Sequence, residues 1–445
     1  MMRTTAMTTE SKSAETNHPE GDREDSPIPA AHTAPRGAVT RRQLLRGSAI
    51  LGGSVLAGGA VGGLTQRAFR RPGVDGAEEN TSEHGDCEGF GQATEPFYGE
   101  HQAGVVTGTQ AHACLLGYDL VSSATRDDVV RLMRIITQDA ARLTQGKPPL
   151  ADPEPELAEA PARLTITVGW GPSLFERVGM ADQKPAGLRE LPPYRIDRLD
   201  KQWGQTDILI MVQGDNPTSI SHASRVLTRQ TRRYLGRRWT QQGFTYARGT
   251  HPTGTTMRNL MGQVDGTHTA TTQASDDLVW CSGDPVHEGA TTFVLRRIAM
   301  NLDTWDEVDR VAREDVMGRR LATGAPLTGS HEGDEPDFDA RSERGFPVIA
   351  SYAHIRRARP QDPSVRILRR GYNYDDPPVG ESTHNAGLLF GAFQRSIADQ
   401  YMPLQAGLAE LDALNEWTTP IGSAVYYIPP GVLDPAGYLG QRLLA

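Results

Sequence analysis

The stretch Ala111-His112-Ala113-Cys114-Leu115-Leu116-Gly117-Tyr118-Asp119-Leu120 and residues 125–143 behind it decide the class of fold. The first stretch is short and mostly apolar, which predicts a strand. In the second, apolar residues recur at helical spacing: Val129, Leu132, Met133, Ile136, Ala140 and Leu143. Thr125, followed by Asp127 and Asp128, is typical of a helix N-terminus. A strand is therefore followed at once by an amphipathic helix.

The same alternation continues through both halves of the chain. Further strands are predicted over residues 164–168, 207–212, 291–300, 365–374, 387–393 and 424–428. Further helices are predicted over residues 217–235, 303–314 and 400–417. Two halves, each with several strands and two helices in mixed order, favour two α+β modules over a doubly wound parallel sheet. We place these modules at residues 95–265 and 266–445.

The overall composition narrows the classes of function. The chain has 445 residues, of which 37% are hydrophobic and 23% are charged, as in an ordinary soluble globular protein. Its net charge of −9 argues against a nucleic-acid partner, because such proteins carry basic surfaces. Three cysteines are too few for a disulfide framework or a thiolate metal cage.

The N-terminal region predicts export. Residues 1–39 are polar and we expect them to be disordered. Residues 40–66 contain Thr40-Arg41-Arg42-Gln43-Leu44-Leu45-Arg46 and a charge-free run, a pattern typical of a twin-arginine signal. The twin-arginine translocase, the partner that this signal implies, carries folded proteins to a periplasmic, cell-envelope or extracellular location. A cofactor inserted before export is therefore expected, and residues 67–94 form a linker.

A retained membrane anchor is the alternative for this segment. The run over residues 47–66 is long enough to span a bilayer, but seven glycines dilute its apolar residues. A cleaved signal and a tether both remain open from the sequence.

Three local features call for a chemical explanation. In Gly262-Gln263-Val264-Asp265-Gly266 two glycines allow a ligand close to the backbone, although Asp-Gly is more often a simple turn. His354 stands apart from other metal-ligating residues, and one protein ligand is what haem iron requires. Arg369 ends a strand-like run, where an arginine is usually solvated or ion-paired.

Taken in order, these features and several others resemble the dye-decolorizing peroxidase family, in particular its exported subgroup that includes deferrochelatase/peroxidases. The matching segments are residues 95–104, Gly262 to Thr267, Gly318-Arg319, residues 323–326, His354-Ile355-Arg356, residues 369–372, residues 387–390 and Phe393-Gln394. The resemblance covers residue 95 to the C-terminus. It implies two ferredoxin-like modules with antiparallel sheets, of the dimeric α+β barrel type. One haem b per chain would lie in the C-terminal module.

The resemblance also implies roles for the residues around the haem. His354 would be the axial ligand of the haem iron. Its second ring nitrogen would donate to a carboxylate, for which Asp412 and Glu416 are both candidates. Gly262 and Gly266 would lie against the cofactor.

On the opposite face, the resemblance makes Asp265 the residue that moves a proton between the two oxygens of hydrogen peroxide. Arg369 would keep that carboxylate ionised and stabilise the negative charge that develops as the bond between the oxygens breaks. Leu388 and Phe390 would wall the cavity and exclude water.

The expected activity is that of a haem peroxidase that reduces hydrogen peroxide and oxidises dyes or phenolic compounds. Because a bulky aromatic reductant does not reach a buried haem, electrons would pass through an exposed aromatic residue, for which Tyr374 is the first candidate and Trp417 the second. The alternative is that both are packing residues. Two alternatives stay open: a deferrochelatase that releases iron from haem for iron uptake, and a non-catalytic haem carrier. Homo-oligomers and iron-uptake partners are further alternatives that the sequence leaves open.

Overall fold

A computed structural model describes residues 87–267, 276–360, 362 and 365–445. The strands are β1 (His112–Leu120), β2 (Thr165–Trp170), β3 (Ile208–Gly214), β4 (Leu235–Phe244), β5 (Thr291–Met300), β6 (Leu368–Arg369), β7 (Tyr372–Asp376), β8 (Asn385–Gln394) and β9 (Thr418–Ile428). The helices are α1 (Arg126–Leu143), α2 (Pro172–Arg177), α3 (Pro217–Thr231), α4 (Asp276–Val279), α5 (Leu302–Trp305), α6 (Arg310–Met317), α7 (His354–Arg357), α8 (Met402–Leu411) and α9 (Gln441–Leu444). The predicted disordered region and the twin-arginine segment lie outside the described residues.

The first strand and helix form as the sequence predicts. Strand β1 pairs antiparallel with both β3 and β4. At the start of α1 the Thr125 hydroxyl accepts a hydrogen bond from the Asp128 backbone nitrogen, and the Thr125 nitrogen donates to the Asp128 carboxylate. This capping box satisfies two backbone donors that a helix start otherwise leaves unpaired.

Two modules of the same topology make up the fold. In the first, the order along the chain is β1-α1-β2-β3-α3-β4 and the order in the sheet is β2-β3-β1-β4. In the second, β5, β7, β8 and β9 take the corresponding places, in the sheet order β7-β8-β5-β9. Helices follow the first and third strands of each module. These are two ferredoxin-like modules with antiparallel sheets, so the predicted fold class is confirmed.

The two sheets join at both edges and close into a barrel. Trp170 of β2 pairs with Tyr427 of β9, and Phe244 of β4 pairs with Asn373 of β7. The barrel interior is mostly apolar and also holds the buried polar residues Gln241 and Arg297. Its apolar residues include Leu115, Met211, Trp239, Phe293, Leu389 and Tyr426. Closure leaves no unpaired sheet edge between the modules, and the helices pack on the outside.

Gln102, within the matching segment of residues 95–104, links the two modules. The buried Gln102 amide nitrogen donates to the carbonyl oxygens of Val168 (3.0 Å) and Pro429 (2.9 Å), and its oxygen accepts from the Val168 nitrogen. The neighbouring His101 ring stacks on Trp280 with 3.6 Å between the ring centroids. Gln102 therefore contacts both β2 of the first module and the chain just beyond β9 of the second.

Three predicted elements differ from the structure, and one strand was not predicted. The helix predicted over 303–314 is two helices, because Asp309 caps a new start by accepting from the Ala312 nitrogen. The strand predicted over 365–374 is divided into β6 and β7. The helix predicted over 400–417 stops at Leu411, after which a 3-10 turn begins. Strand β4 was not predicted, since its outward residues are polar and one buried residue is Gln241.

Within the described part of the chain, no helix combines the length and the apolar character that crossing a membrane requires.

Candidate haem site

The candidate site lies on the outer face of the second module's sheet. Along β8, Leu389 points into the barrel, whereas Leu388 and Phe390 belong to a separate cluster outside it. That cluster contains Met261, Met300, Trp305, Val316, Met317 and Leu414. The two residues predicted to wall the site therefore lie side by side on one apolar surface.

Helix α7 holds His354 against this surface. The helix has only four residues, so its position depends on its neighbours. A Cβ at Gly318 would lie 2.8 Å from the Ile355 side chain, so a glycine lets the end of α6 approach α7 this closely. The Arg356 guanidinium donates to the carbonyl oxygens of Phe338 and Ile349, both at 2.9 Å. These contacts fix the first residue of the helix, His354.

His354 is paired with Asp412. Its Nδ1 donates to Asp412 Oδ2 at 2.6 Å, and Asp412 Oδ1 accepts from the Leu414 nitrogen at 3.0 Å. Both carboxylate oxygens are thus occupied and the side chain is 3% exposed. Of the two candidate carboxylates, Asp412 contacts His354 and Glu416 is exposed. Since Nδ1 is engaged, Nε2 is the ring nitrogen left for a ligand.

The charge of Asp412 also governs the protonation of His354. Burial lowers the pKa of His354, but the Asp412 carboxylate raises it through charge and hydrogen bonding, and the resulting pKa lies above its ordinary value. A partner of this kind makes an imidazole a more basic ligand.

Asp265 and Arg369 form an ion pair. The Arg369 guanidinium donates to Asp265 Oδ1, and the Asn259 side-chain amide donates to Oδ2 at 3.2 Å. The side chain of Asp265 is 13% exposed and that of Arg369 is 26% exposed. The carboxylate is therefore held at both oxygens by hydrogen-bond donors.

Asn259 also shapes the loop that carries Asp265. Its side-chain oxygen accepts from the backbone nitrogens of Met261 and Gln263, both at 3.1 Å. The Asp265 nitrogen donates to the Met257 carbonyl oxygen at 2.8 Å. Sequence analysis missed Asn259; an asparagine three residues before a glycine, next to a turn signal, was the available indication.

Two glycines and one glutamate complete this loop. Gly262 and Gly266 have φ angles of +84° and +136°, a backbone region that favours glycine. Glu332 Oε1 accepts from the hydroxyls of Thr256 (2.6 Å) and Thr267 (2.8 Å), which lie on either side of the loop. Sequence analysis missed Glu332, because it lies in the acidic loop between elements.

The two pairs border one region. The charges of Arg369 and Asp265 both act on the pKa of His354, which places them within electrostatic range of its ring. The Arg369 guanidinium carbon lies 5.7 Å from the centre of the Phe390 ring. The structure thus brings together a partly exposed imidazole, an ion pair and an apolar wall.

The expectation for an exposed aromatic relay is wrong for Tyr374. Its side chain is 1% exposed inside the barrel, the Arg297 guanidinium lies 3.6 Å from its ring centre, and burial raises its pKa to about 12. The residue turns inward because β7 alternates its side chains between the two faces. Trp417 is half-buried and packs edge-on against Trp305, with 5.1 Å between the ring centroids.

A possible metal cluster of the conventional kind occurs elsewhere in the described residues. Asp152, Glu154 and His222 lie close together in the first module, but His222 Nε2 is already bonded to Asp152 Oδ2 at 2.8 Å, and Arg225 is ion-paired with Glu154. His354 belongs to no such group within the described ranges.

Comparison with known families decides the assignment. Residues 102–245 match the model for the N-terminal part of the Dyp-type peroxidases, and residues 256–433 match the model for their C-terminal part. The chain belongs to the DyP-type peroxidase family. It is therefore an oxidoreductase of a family that binds haem, and the family resemblance seen in the sequence is confirmed.

A sequence relative and two solved structures agree with this membership. A deferrochelatase from Escherichia coli O6:K15:H31 is 33% identical over 427 residues, which cover 91% of this chain and 97% of the relative. The crystal structure of a DyP-type peroxidase from Cellulomonas bogoriensis is 49% identical, with a TM-score of 0.78, and covers 80% of this chain and 99% of its own. Ferric DtpA from Streptomyces lividans is 34% identical, with a TM-score of 0.77 over 80% of this chain and 98% of its own.

Proposed function

We propose that this chain uses haem b, held by His354, to reduce hydrogen peroxide and to oxidise dyes or phenolic compounds. The observation that carries the proposal is the arrangement of two charged pairs at one apolar-walled site. The His354–Asp412 pair offers a basic ring nitrogen, and the Asp265–Arg369 pair offers a carboxylate beside a guanidinium group.

The residues present fit a haem. Nε2 of His354 is the ring nitrogen whose electron pair can bind iron, and the side chain is 27% exposed. Leu388 and Phe390 present the apolar surface that a porphyrin face needs, and Gly262 and Gly266 place no side chain at the two ends of the loop segment that carries Asp265. Haem bound here would supply the redox-active iron that peroxide reduction requires.

Asp265 would handle the proton. Its carboxylate takes a proton from one oxygen of hydrogen peroxide and delivers it to the other oxygen, which leaves as water. Asn259 holds the carboxylate in place during this transfer. Arg369, which donates to Asp265, stabilises the negative charge that develops on the oxygens as their bond breaks.

Turnover of the purified holoprotein tests this proposal. Hydrogen peroxide and a phenolic reductant should be consumed together, and Asp265→Asn should lower the rate without loss of haem. A holoprotein that oxidises no phenol or dye in the presence of peroxide would contradict the peroxidase proposal.

The second candidate is release of iron from haem, which the deferrochelatase relatives favour. In that reaction the porphyrin remains intact, so incubation with haem should produce the fluorescence of free protoporphyrin. Fluorescence without peroxide-dependent oxidation would support this candidate over the first, and unaltered haem in both assays would support a carrier.

We further propose that residues 40–66 direct export of the folded chain by the twin-arginine translocase. The Arg41-Arg42 pair and the charge-free run behind it support this proposal. Replacing both arginines by lysine should retain the protein in the cytoplasm, and unchanged export of that variant would contradict the proposal.

A further inference from the structure

A groove on the first module, remote in the chain from the candidate haem site, has no role in the chemistry above. Helix α3 packs on β1 and β3 but leaves the outer side of β4 uncovered, and a cavity of about 580 Å³ lies between the helix and the strands. We call it the α3–β4 groove. Its floor includes Cys114, Leu116 and Ile220.

The rim of the α3–β4 groove carries four arginines: Arg225, Arg229, Arg232 and Arg237. No aspartate or glutamate lines the groove among the described residues. This concentration of positive charge contrasts with the net charge of −9 of the whole chain. A groove lined by charge of one sign concentrates the field and attracts the opposite charge.

Two of these arginines, Arg232 and Arg237, are available to bind a ligand, whereas the other two have partners. Arg225 is ion-paired with Glu154, and Arg229 donates to the Ala151 carbonyl oxygen. Arg232 and Arg237 are exposed and have no carboxylate partner within the part of the chain that the structure describes. The charge of Arg237 also acts on the pKa of the Cys114 thiol, so its field reaches the floor.

The floor adds a buried hydroxyl. The Ser224 side chain is 9% exposed and lies beside the Cys114 thiol, which is a weak hydrogen-bonding group. The side-chain oxygen of Ser224 has no stronger hydrogen-bond partner among the described residues. A buried hydroxyl left in this way is stabilised by a bound molecule that offers a hydrogen-bond acceptor.

We propose that the α3–β4 groove binds an organic anion that carries a sulfonate or carboxylate on a flat apolar body. Guanidinium groups recognise such anions through paired hydrogen bonds, and the apolar floor receives the body. The cavity volume falls within the range of about 300–1,000 Å³ that is usual for small-molecule sites. The inference does not depend on the haem chemistry, because its residues all lie in the first module.

Calorimetric titration of the holoprotein with anilinonaphthalene sulfonate tests the proposal. One molecule should bind per chain, and Arg232→Gln combined with Arg237→Gln should weaken binding at least tenfold. The matched control is Arg131→Gln combined with Arg310→Gln, two exposed arginines on α1 and α6, which should change affinity less than twofold. The Soret absorbance of every variant should match that of the wild type, which shows that the haem site is intact.

Two further ligands separate the anion from the apolar body. Benzenesulfonate carries the same anionic group on a smaller body and should bind at least tenfold more weakly, and inorganic sulfate should be weaker still. Equal affinity of the arginine double variant and its control would overturn the proposal. Sulfate that binds as tightly as the aromatic probe would overturn the apolar-body part and leave a simple anion site.

Discussion

Replacement of Asp412 by asparagine separates the role of its charge from its role in the fold. The carboxylate makes two contacts, one with His354 Nδ1 at 2.6 Å and one with the Leu414 nitrogen at 3.0 Å. Asparagine is also a good cap, so the 3-10 turn after Asp412 should persist and the free energy of unfolding should change little. What disappears is the charge-assisted hydrogen bond to the imidazole.

The size of the effect follows from that one contact. Hydrogen bonds to charged groups contribute about 1.5–3 kcal/mol. Loss of a partner of a metal-bound histidine lowers metal affinity or activity about 10- to 100-fold, which corresponds to about 1.4–2.8 kcal/mol. We therefore expect Asp412→Asn to weaken haem binding 10- to 100-fold, and to lower the iron–histidine stretching frequency in the resonance Raman spectrum of the reduced protein.

Glu416→Gln is the matched control. It makes the same change of acid to amide four residues further along, at an exposed side chain that does not contact His354. Haem titration followed at the Soret band, together with the Raman spectrum, should show wild-type behaviour for this variant. If Asp412→Asn behaves like Glu416→Gln in both measurements, the carboxylate does not act through His354 and our reasoning fails.

Three other predictions follow from the same structure. Asp265→Asn should keep haem but slow peroxide reduction about 10²- to 10⁴-fold in stopped-flow measurements, the range that one acid–base group contributes, and an unchanged rate would refute the assignment. Gly318→Ala should lower the free energy of unfolding by about 2–4 kcal/mol in denaturant titrations, because its φ is +75° and its Cβ would meet Ile355 at 2.8 Å. The control is Gly254→Ala, where φ is +87° but the space is open, and it should lower the free energy of unfolding by only about 1–2 kcal/mol. Equal losses for the two variants would contradict the clash with Ile355. Burial raises the pKa of Asp139 to about 6, so the folded state binds that proton more tightly than the unfolded chain, and stability falls as pH rises from about 4 through 6. Asp139→Asn should therefore be more stable than the wild type by about 1–2 kcal/mol at pH 8, after discounting for its partial exposure, and about equal at pH 4; an equal gain at both pH values would contradict this origin.

Local patterns predicted the elements whose burial is simple. Strand β5 spans residues 291–300 as predicted, since it lies in the middle of the second sheet with apolar residues along most of its length. The start of α1 was predictable because Thr125 and Asp128 interact within one turn. In both cases the deciding contacts lie close together in the sequence or repeat along it.

Elements that depend on distant partners were not predictable. Strand β4 contains the buried Gln241, whose oxygen faces Arg297 of β5 across the barrel, so its apolar pattern is weak. Its place in the sheet comes from pairing with β1 and β7. A single sequence carries no local sign of such pairing.

The candidate site also contains some residues that could be predicted from the sequence and others that could not. His354, Asp265 and Arg369 came from the family resemblance, and the structure brings all three to one region. The choice between Asp412 and Glu416 could not be made from the sequence, because both fell on a helix predicted to run unbroken to residue 417. The helix ends at Leu411, and only the resulting 3-10 turn directs Asp412 toward His354.

The central claim is that His354 holds haem and that the Asp265–Arg369 pair acts on hydrogen peroxide during its reduction. The most direct test is a stopped-flow record of the Soret band after one equivalent of hydrogen peroxide is added to the purified holoprotein. Our account predicts a rapid change of the band that a phenolic reductant reverses. A Soret band that peroxide leaves unchanged would contradict it.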